Sequence, residues 1–192
     1  MDKAKKWVMM ASRKESPSLV ELIEKSDGYA FHEIGIGLFE SMYNFQSLLA
    51  EETPDEVILA GSGGAFLSID MLTPAISYDF SMPQNRMEEI PEFLKQKWQT
   101  QPPEKMPNLK QIHVFSEFGV TISADRFSTD VNQSWENMEA GGISYICHKK
   151  DIPFATILCC TNLIGPGGRK QWKQNHEKAG EILTEELRSI IV

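Results

Sequence analysis

Short apolar runs alternate with amphipathic stretches along this chain, and that alternation restricts its fold more than any other feature. Residues 7–11, 29–34, 57–60, 111–122 and 154–160 are apolar or β-branched runs of strand length. Residues 67–80 form a weaker extended stretch. Helical spacing fills the intervals: Leu38, Met42, Phe45 and Leu49 within 38–50, then 86–98, 136–149 and 170–191. Ser16 and Pro17 open a further helix, with Ser as cap, Pro at the first turn, and Leu19, Leu22 and Ile23 as its apolar face. Pro102, Pro103 and Pro107 mark 99–108 as a loop, and Gly165-Pro-Gly-Gly168 breaks the chain before the last helix. Strands interleaved with helices imply an α/β fold with helices on both faces of one sheet. In such sheets sites form beyond the strand ends, where the polar clusters at 12–16, 61–64, 123–127 and 161–168 fall.

The length of 192 residues suits a single domain spanning 1–192. Net charge is -8, and the only dense basic run is Lys3, Lys5, Lys6. Nucleic-acid binders show a basic face, so a small-molecule ligand is expected instead. Cys147, Cys159 and Cys160 are an odd number without framework spacing, which argues against a disulfide-stapled secreted domain. The first residues lack the apolar core of a signal peptide, and no apolar run approaches the ~20 residues of a membrane span. A cytoplasmic protein with no membrane partner is the expectation.

The individual motifs each admit a plain reading. Gly61-Ser-Gly-Gly64 follows a strand and is either a tight turn or a close approach to an oxygen-rich ligand; it is neither a Walker loop nor a dinucleotide fingerprint. Glu136 fits a first helical turn through the macrodipole. Glu139 sits beside Met138 and the small run Ala140-Gly-Gly142, which suggests a carboxylate buried enough to need partners such as ribose hydroxyls. Asn162 at a strand end is a turn residue or, through its amide, a reader of a purine edge. Glu15 reads on its own as a solvated carboxylate at a helix start, and 125–127 as a surface turn. Cys147-His148 and Cys159-Cys160 lack metal-ligand spacing, so neither a metal nor another cofactor is expected. No serine–histidine–aspartate order can be justified.

Taken together, these segments resemble the nucleoside phosphorylase and nucleosidase superfamily along nearly the whole chain. The most specific stretch is Asn137-Met-Glu-Ala-Gly-Gly-Ile-Ser-Tyr-Ile-Cys-His148, followed by Ile152-Pro-Phe154 and Cys160-Thr-Asn162. Gly35-Ile-Gly37, Pro54-Asp55, Gly61-Ser62 and Ser123-Ala-Asp-Arg-Phe127 fall in family order. The resemblance is closest to the hydrolytic branch, methylthioadenosine/S-adenosylhomocysteine nucleosidase and futalosine hydrolase. It implies a three-layer αβα sandwich around a mixed central β-sheet, a symmetric homodimer, and breakage of the bond between a purine and ribose. By resemblance Glu15 would activate water and Glu139 would hold the ribose hydroxyls with Met138 against the sugar. Phe127 would stack on the purine, Ser62 would line the nucleophile side, and Asn162 would hydrogen-bond the departing base.

Three departures refine these expectations. Family phosphorylases carry an Arg two residues before the Gly-Ser pair, where this chain has Leu59, and their glycine-rich phosphate loop is replaced by Ala11-Ser-Arg-Lys-Glu15. Water is therefore the expected nucleophile, with Arg13 as the one residue that keeps phosphate in play. Adenine-specific nucleosidases carry Asp where this chain has Asn162. The run Thr161-Asn-Leu-Ile-Gly-Pro-Gly-Gly-Arg-Lys-Gln-Trp172 resembles futalosine hydrolases, which implies hypoxanthine as the leaving base. The chain is also shorter than typical members, the loss falling between Gly64 and His113.

Overall fold

The computed structural model describes residues 6–66, 70–82, 97–116 and 134–192. Among them the elements run β1 (Lys6–Met10), α1 (Pro17–Glu24), β2 (Tyr29–Glu33), α2 (Leu38–Glu51), β3 (Glu56–Ala65), β4 (Pro74–Ser81), β5 (Lys97–Gln99), β6 (Lys110–Phe115), β7 (Ser134–Glu136), α3 (Ala140–Lys149), β8 (Phe154–Leu163) and α4 (Gly168–Ile191).

The strands read as continuous apolar runs because both sheet faces are covered. Successive side chains point to opposite faces. Trp7, Met9, Val57, Leu59, Phe154 and Leu158 join a core beneath α2 and α3, where Phe45, Ile143 and Ile146 complete it. Val8, Met10, Ile58, Ala60, Ala155 and Ile157 face the other way, toward Leu19 and Ile23 of α1 and Leu183 and Leu187 of α4. This gives the three layers, with helices on both faces as expected.

The sheet is mixed. β1 lies parallel between β2 and β3, and β3 runs parallel to β8 over most of its length. Beyond β1 the ladders close a ring: β3 pairs β8, β8 pairs β4, β4 pairs β6, β6 pairs β7, and β7 returns to the end of β3. β5 adds antiparallel to β4. β3 therefore has β1 on one side over its first half and β7 there over its second half.

Four sequence readings change. Gly61 to Gly64 is not a turn but the second half of β3, with a register shift between Gly63 and Gly64. The glycines are there because neighbouring chains come close: a Cβ on Gly63 would lie 2.8 Å from the Trp135 ring. Residues 97–98, the end of the expected helix 86–98, belong to β5, and the rest of that helix lies outside the described residues. The strand expected over 111–122 runs from Lys110 to Phe115, and 117–122 lie outside the described residues. The helix expected from 136 starts at Ala140, because Glu136 pairs in β7 and the Asn137 side chain intercepts the first amides of the helix.

The last helix is tied to the first loop. Ser16 caps α1 through the Leu19 amide and also donates to the Gly180 carbonyl at 2.8 Å. A Cβ on Gly180 would sit 2.4 Å from the Glu15 carbonyl oxygen, a backbone atom that cannot swing aside. Gly180→Ala is expected to lower the free energy of unfolding by about 1–3 kcal/mol through overpacking, measured by urea titration; an unchanged midpoint would mean that α4 does not press on this loop.

Candidate active site

The strand β1 ends in a tight turn that returns the Glu15 amide to the Ser12 carbonyl at 3.0 Å, just before the Ser16 cap of α1. That turn lays the Glu15 carboxylate over the glycine half of β3, where a Cβ on Gly61 would lie 3.6 Å from Oε2. The backbone and hydroxyl of Ser62, beside this carboxylate, favour its charged form through hydrogen bonding. Burial, reinforced by the negative charge of Glu139, nevertheless pushes Glu15 up from 4.5 to about 7. The solvated carboxylate of the local reading is thus a partly buried group poised near neutrality.

Glu139 reaches the same place from the far side. It is 5% exposed and stands at the N-terminus of α3. Its Oε1 accepts the Gly37 N–H at 2.7 Å. Gly37 can present that amide because its φ of +89° lies in the region glycine tolerates. Burial raises the Glu139 pKa, and hydrogen bonds from backbone amides oppose the rise.

Asn137 holds these pieces together. Its Oδ1 accepts from the amides of Glu139 at 3.0 Å and Ala140 at 2.8 Å, and its Nδ2 donates to the Ser62 carbonyl at 3.1 Å. Met138 lies half-buried between Asn137 and Glu139. One amide side chain therefore fixes the start of α3 against the strand that carries Ser62.

Asn162 lies one strand over, in register with Gly64. A Cβ on Gly64 would come within 3.0 Å of its Nδ2, and one on Gly168 within 3.2 Å, so the amide occupies a slot between two glycines. Its Nδ2 donates to the Leu163 carbonyl at 3.2 Å and its Oδ1 accepts from the Thr161 hydroxyl at 2.9 Å. The first turns of α4 close this side: Gln171 Oε1 accepts from the Leu163 amide, Asn175 Nδ2 donates to the Thr161 carbonyl, and Trp172 Nε1 donates to Ser62 Oγ at 3.1 Å.

Glu15, Ser62 and Glu139 thus converge with Met138 beside them, and Asn162 stands across β3. Phe127 lies outside the described residues. Asn137 and Trp172 went unassigned as site residues in the sequence, although both fall inside its quoted motifs. Arg13 points elsewhere: its guanidinium lies 3.4 Å from Glu24 and 3.7 Å from Glu33 and over the Phe31 ring.

A second polar chain runs along β4 and β6, with Ser81 Oγ 2.9 Å from His113 Nε2 and His113 Nδ1 3.0 Å from Asp79 Oδ2. This is a serine–histidine–aspartate order that the sequence could not reveal. Ser81 is only 6% exposed, which closes its hydroxyl to a substrate, and the chain reads as polar satisfaction across the β4–β6 ladder.

The same architecture is found in solved nucleosidases and a futalosine hydrolase. Solved structures sharing it include a 5′-methylthioadenosine/S-adenosylhomocysteine nucleosidase from Helicobacter pylori, with TM-score 0.82 and 14% identity over 100% of this chain and 99% of that one. Futalosine hydrolase of Helicobacter pylori gives TM-score 0.82 and 15% identity over 98% and 97% of the two chains. The 5′-methylthioadenosine nucleosidase of Arabidopsis thaliana gives 0.81 and 15% over 97% and 93%. No protein-family model and no curated protein matches the sequence.

The charge state of the pair has a stability consequence. The folded protein holds a proton on Glu15 up to about pH 7, whereas the unfolded chain releases it near 4.5. This group's contribution is therefore fully present below 4.5 and is lost as pH rises through about 7. Glu15→Gln should stabilise the protein at pH 8 by on the order of 1–2 kcal/mol, discounted for partial exposure, and change little at pH 4. Urea titrations of both proteins at the two pH values measure this; an equal effect at both would show that Glu15 ionises normally.

Proposed function

We infer that the protein hydrolyses the N-glycosidic bond of a purine nucleoside. The observation that carries this reading is the convergence of a buried carboxylate, Glu139, and a partly buried one, Glu15, poised near pH 7, against Ser62. A general base works best with a pKa near the operating pH. Glu15 takes a proton from water as the water attacks the anomeric carbon, with Ser62 alongside, while the bond from that carbon to the base breaks, its electron pair leaving with the base, which then takes a proton from solvent. Glu139 accepts from the ribose hydroxyls, its Oε1 already anchored by Gly37, and Met138 packs on the sugar. Two carboxylates beside an oxocarbenium-like sugar stabilise the charge that develops there.

Water rather than phosphate suits this site. A phosphate dianion would meet two carboxylates, Leu59 is a core residue that offers no charge, and Arg13 is already committed to Glu24 and Glu33. Both carboxylates repel an anion and leave a neutral nucleophile unopposed.

For the base, the Asn162 amide supports a 6-oxopurine such as the hypoxanthine of futalosine. One N–H of Nδ2 is used on the Leu163 carbonyl, and the second can donate to N7 or O6 of the leaving base. Phe127 is proposed as the stacking residue by resemblance. The same reading places the protein in the cytoplasm as a homodimer. Ile36, Phe39 and Tyr43, exposed beside Gly37, offer apolar surface to a second copy, and light scattering at assay concentration would reveal a monomer if that part is wrong.

Futalosine, inosine, adenosine and methylthioadenosine, each incubated with and without phosphate and followed by chromatography of the released base, test the reading directly. Phosphate-independent release of hypoxanthine is expected, with Glu15→Gln slowing it on the order of 10²-fold or more. Asn162→Asp should move preference toward adenine by roughly tenfold. Faster cleavage of adenine nucleosides by the unmodified protein would replace futalosine with a methylthioadenosine-type substrate, and no release from any of them would end the hydrolase reading.

A further inference from the structure

The nucleophile side of the site is reached by a helix from the other end of the chain. Trp172, in the first turns of α4, donates its indole N–H to Ser62 Oγ at 3.1 Å across 110 residues of sequence. The ring is held in place: it stacks on His176 with centroids 4.6 Å apart and planes 19° from parallel, and the residue before it, Gln171, is anchored by the Leu163 amide. Asn175 adds a bond to the Thr161 carbonyl. Ser62 in turn lies against the Glu15 carboxylate, which rests on Gly61.

A serine hydroxyl has one hydrogen to give and two lone pairs to receive with. An indole N–H can only donate. Where the indole occupies a lone pair of Ser62 Oγ, the hydroxyl proton cannot point back at the ring and is directed to another acceptor; the Glu15 carboxylate is the acceptor beside it. Hydrogen bonds in such a chain polarise one another, so the indole strengthens the bond that the hydroxyl gives.

We propose that Trp172 is a positioning residue for the hydrolysis, fixing the Ser62 hydroxyl so that its proton is given to Glu15 and the carboxylate is held in the orientation that takes a proton from water. The proposal rests on Glu15 being the base, as set out above, and it assigns to α4 a part in the chemistry beyond packing.

Trp172→Phe keeps an aromatic ring against His176 and removes the donor together with the pyrrole half of the indole. It should lower kcat by roughly three- to tenfold, the effect of losing one hydrogen bond, with KM within about twofold. The acid limb of the kcat/KM profile should also move to higher pH, since the carboxylate loses part of its support. Unchanged kcat and an unchanged acid limb in Trp172→Phe would overturn the proposal.

A second measurement does not depend on turnover. The Trp172 indole N–H resonance, assigned by its loss in Trp172→Phe, should shift with pH around a midpoint of about 7, reporting Glu15 through the hydroxyl. Among the described residues, Glu139 from α3 and His176, stacked on the ring from the same helix, also face this chain. The titration is therefore run in a His176→Gln background, where Glu15→Gln and Ser62→Ala should each abolish it and Glu139→Gln should only displace its midpoint downward. An indole resonance that is flat from pH 5 to 9, or that titrates undiminished in Ser62→Ala, refutes the relay. A relay seen by this signal in a protein that releases no base would leave the proton chain standing and refute only the hydrolase.

Discussion

Glu15 and Glu139 repel each other, and both lose hydration where they meet. Two like charges brought out of water are stable only if donors are supplied or a proton is kept. Much of the surrounding structure answers this requirement. Ser62 supports one carboxylate through its backbone and hydroxyl, Gly37 gives its amide to the other, and Asn137 clamps the two halves through Ser62 and the start of α3. What the donors do not offset appears as the raised affinity of Glu15 for a proton. The same imbalance that costs stability at alkaline pH leaves Glu15 with the proton affinity that the proposed reaction asks of a base near neutrality.

The donors can converge because β3 is bare over its second half. From Gly61 to Gly64 it carries one side chain beyond hydrogen, that of Ser62, and there it passes from pairing with β1 to pairing with β7 while keeping β8. The absence of side chains admits Glu15 above Gly61, the Trp135 ring beside Gly63 and the Asn162 amide beside Gly64. The ring of strands closes around this point, so β3, β8, the segments after β1 and β7 and the starts of α2, α3 and α4 meet within one region. The glycines serve close approach between chains rather than a change of direction.

That distinction explains what could be read in the sequence. Trp7–Met10, Val57–Ala60 and Phe154–Cys160 announce buried strands because both of their faces are apolar, and α2 and α4 announce themselves by helical spacing. The glycine half of β3 looked like a turn, since glycine without its neighbours carries no sign of why it is there. Glu15 on its own looked solvated for the same reason: its burial comes from β3 and α3, far off in the chain. Resemblance to known sequences gathered Glu15, Ser62 and Glu139. The partners that hold them, Asn137 on Ser62 and Trp172 on Ser62, are separated from it by 75 and 110 residues, and no local pattern encodes such a bond.

A likeness in fold at 14% identity is physically reasonable. A core tolerates extensive exchange among apolar residues if volume and patterning are kept, so β1, β3 and β8 can drift widely without changing the ladders. The site has no such freedom, because each donor there faces one particular acceptor. Methylthioadenosine/S-adenosylhomocysteine nucleosidase and futalosine hydrolase structures match this chain equally well, at TM-score 0.82, so backbone shape does not separate the two. The difference has to reside in a few atoms. Leu59 in place of a cation, Arg13 drawn off to Glu24 and Glu33, and an amide rather than an acid at Asn162 are such atoms. An amide in the Gly64–Gly168 slot cannot lend a proton to a departing base, yet it can donate a hydrogen bond to a carbonyl-bearing purine without altering charge. If the proposed hydrolysis holds, the choice of nucleophile and base would rest on those three positions rather than on the fold.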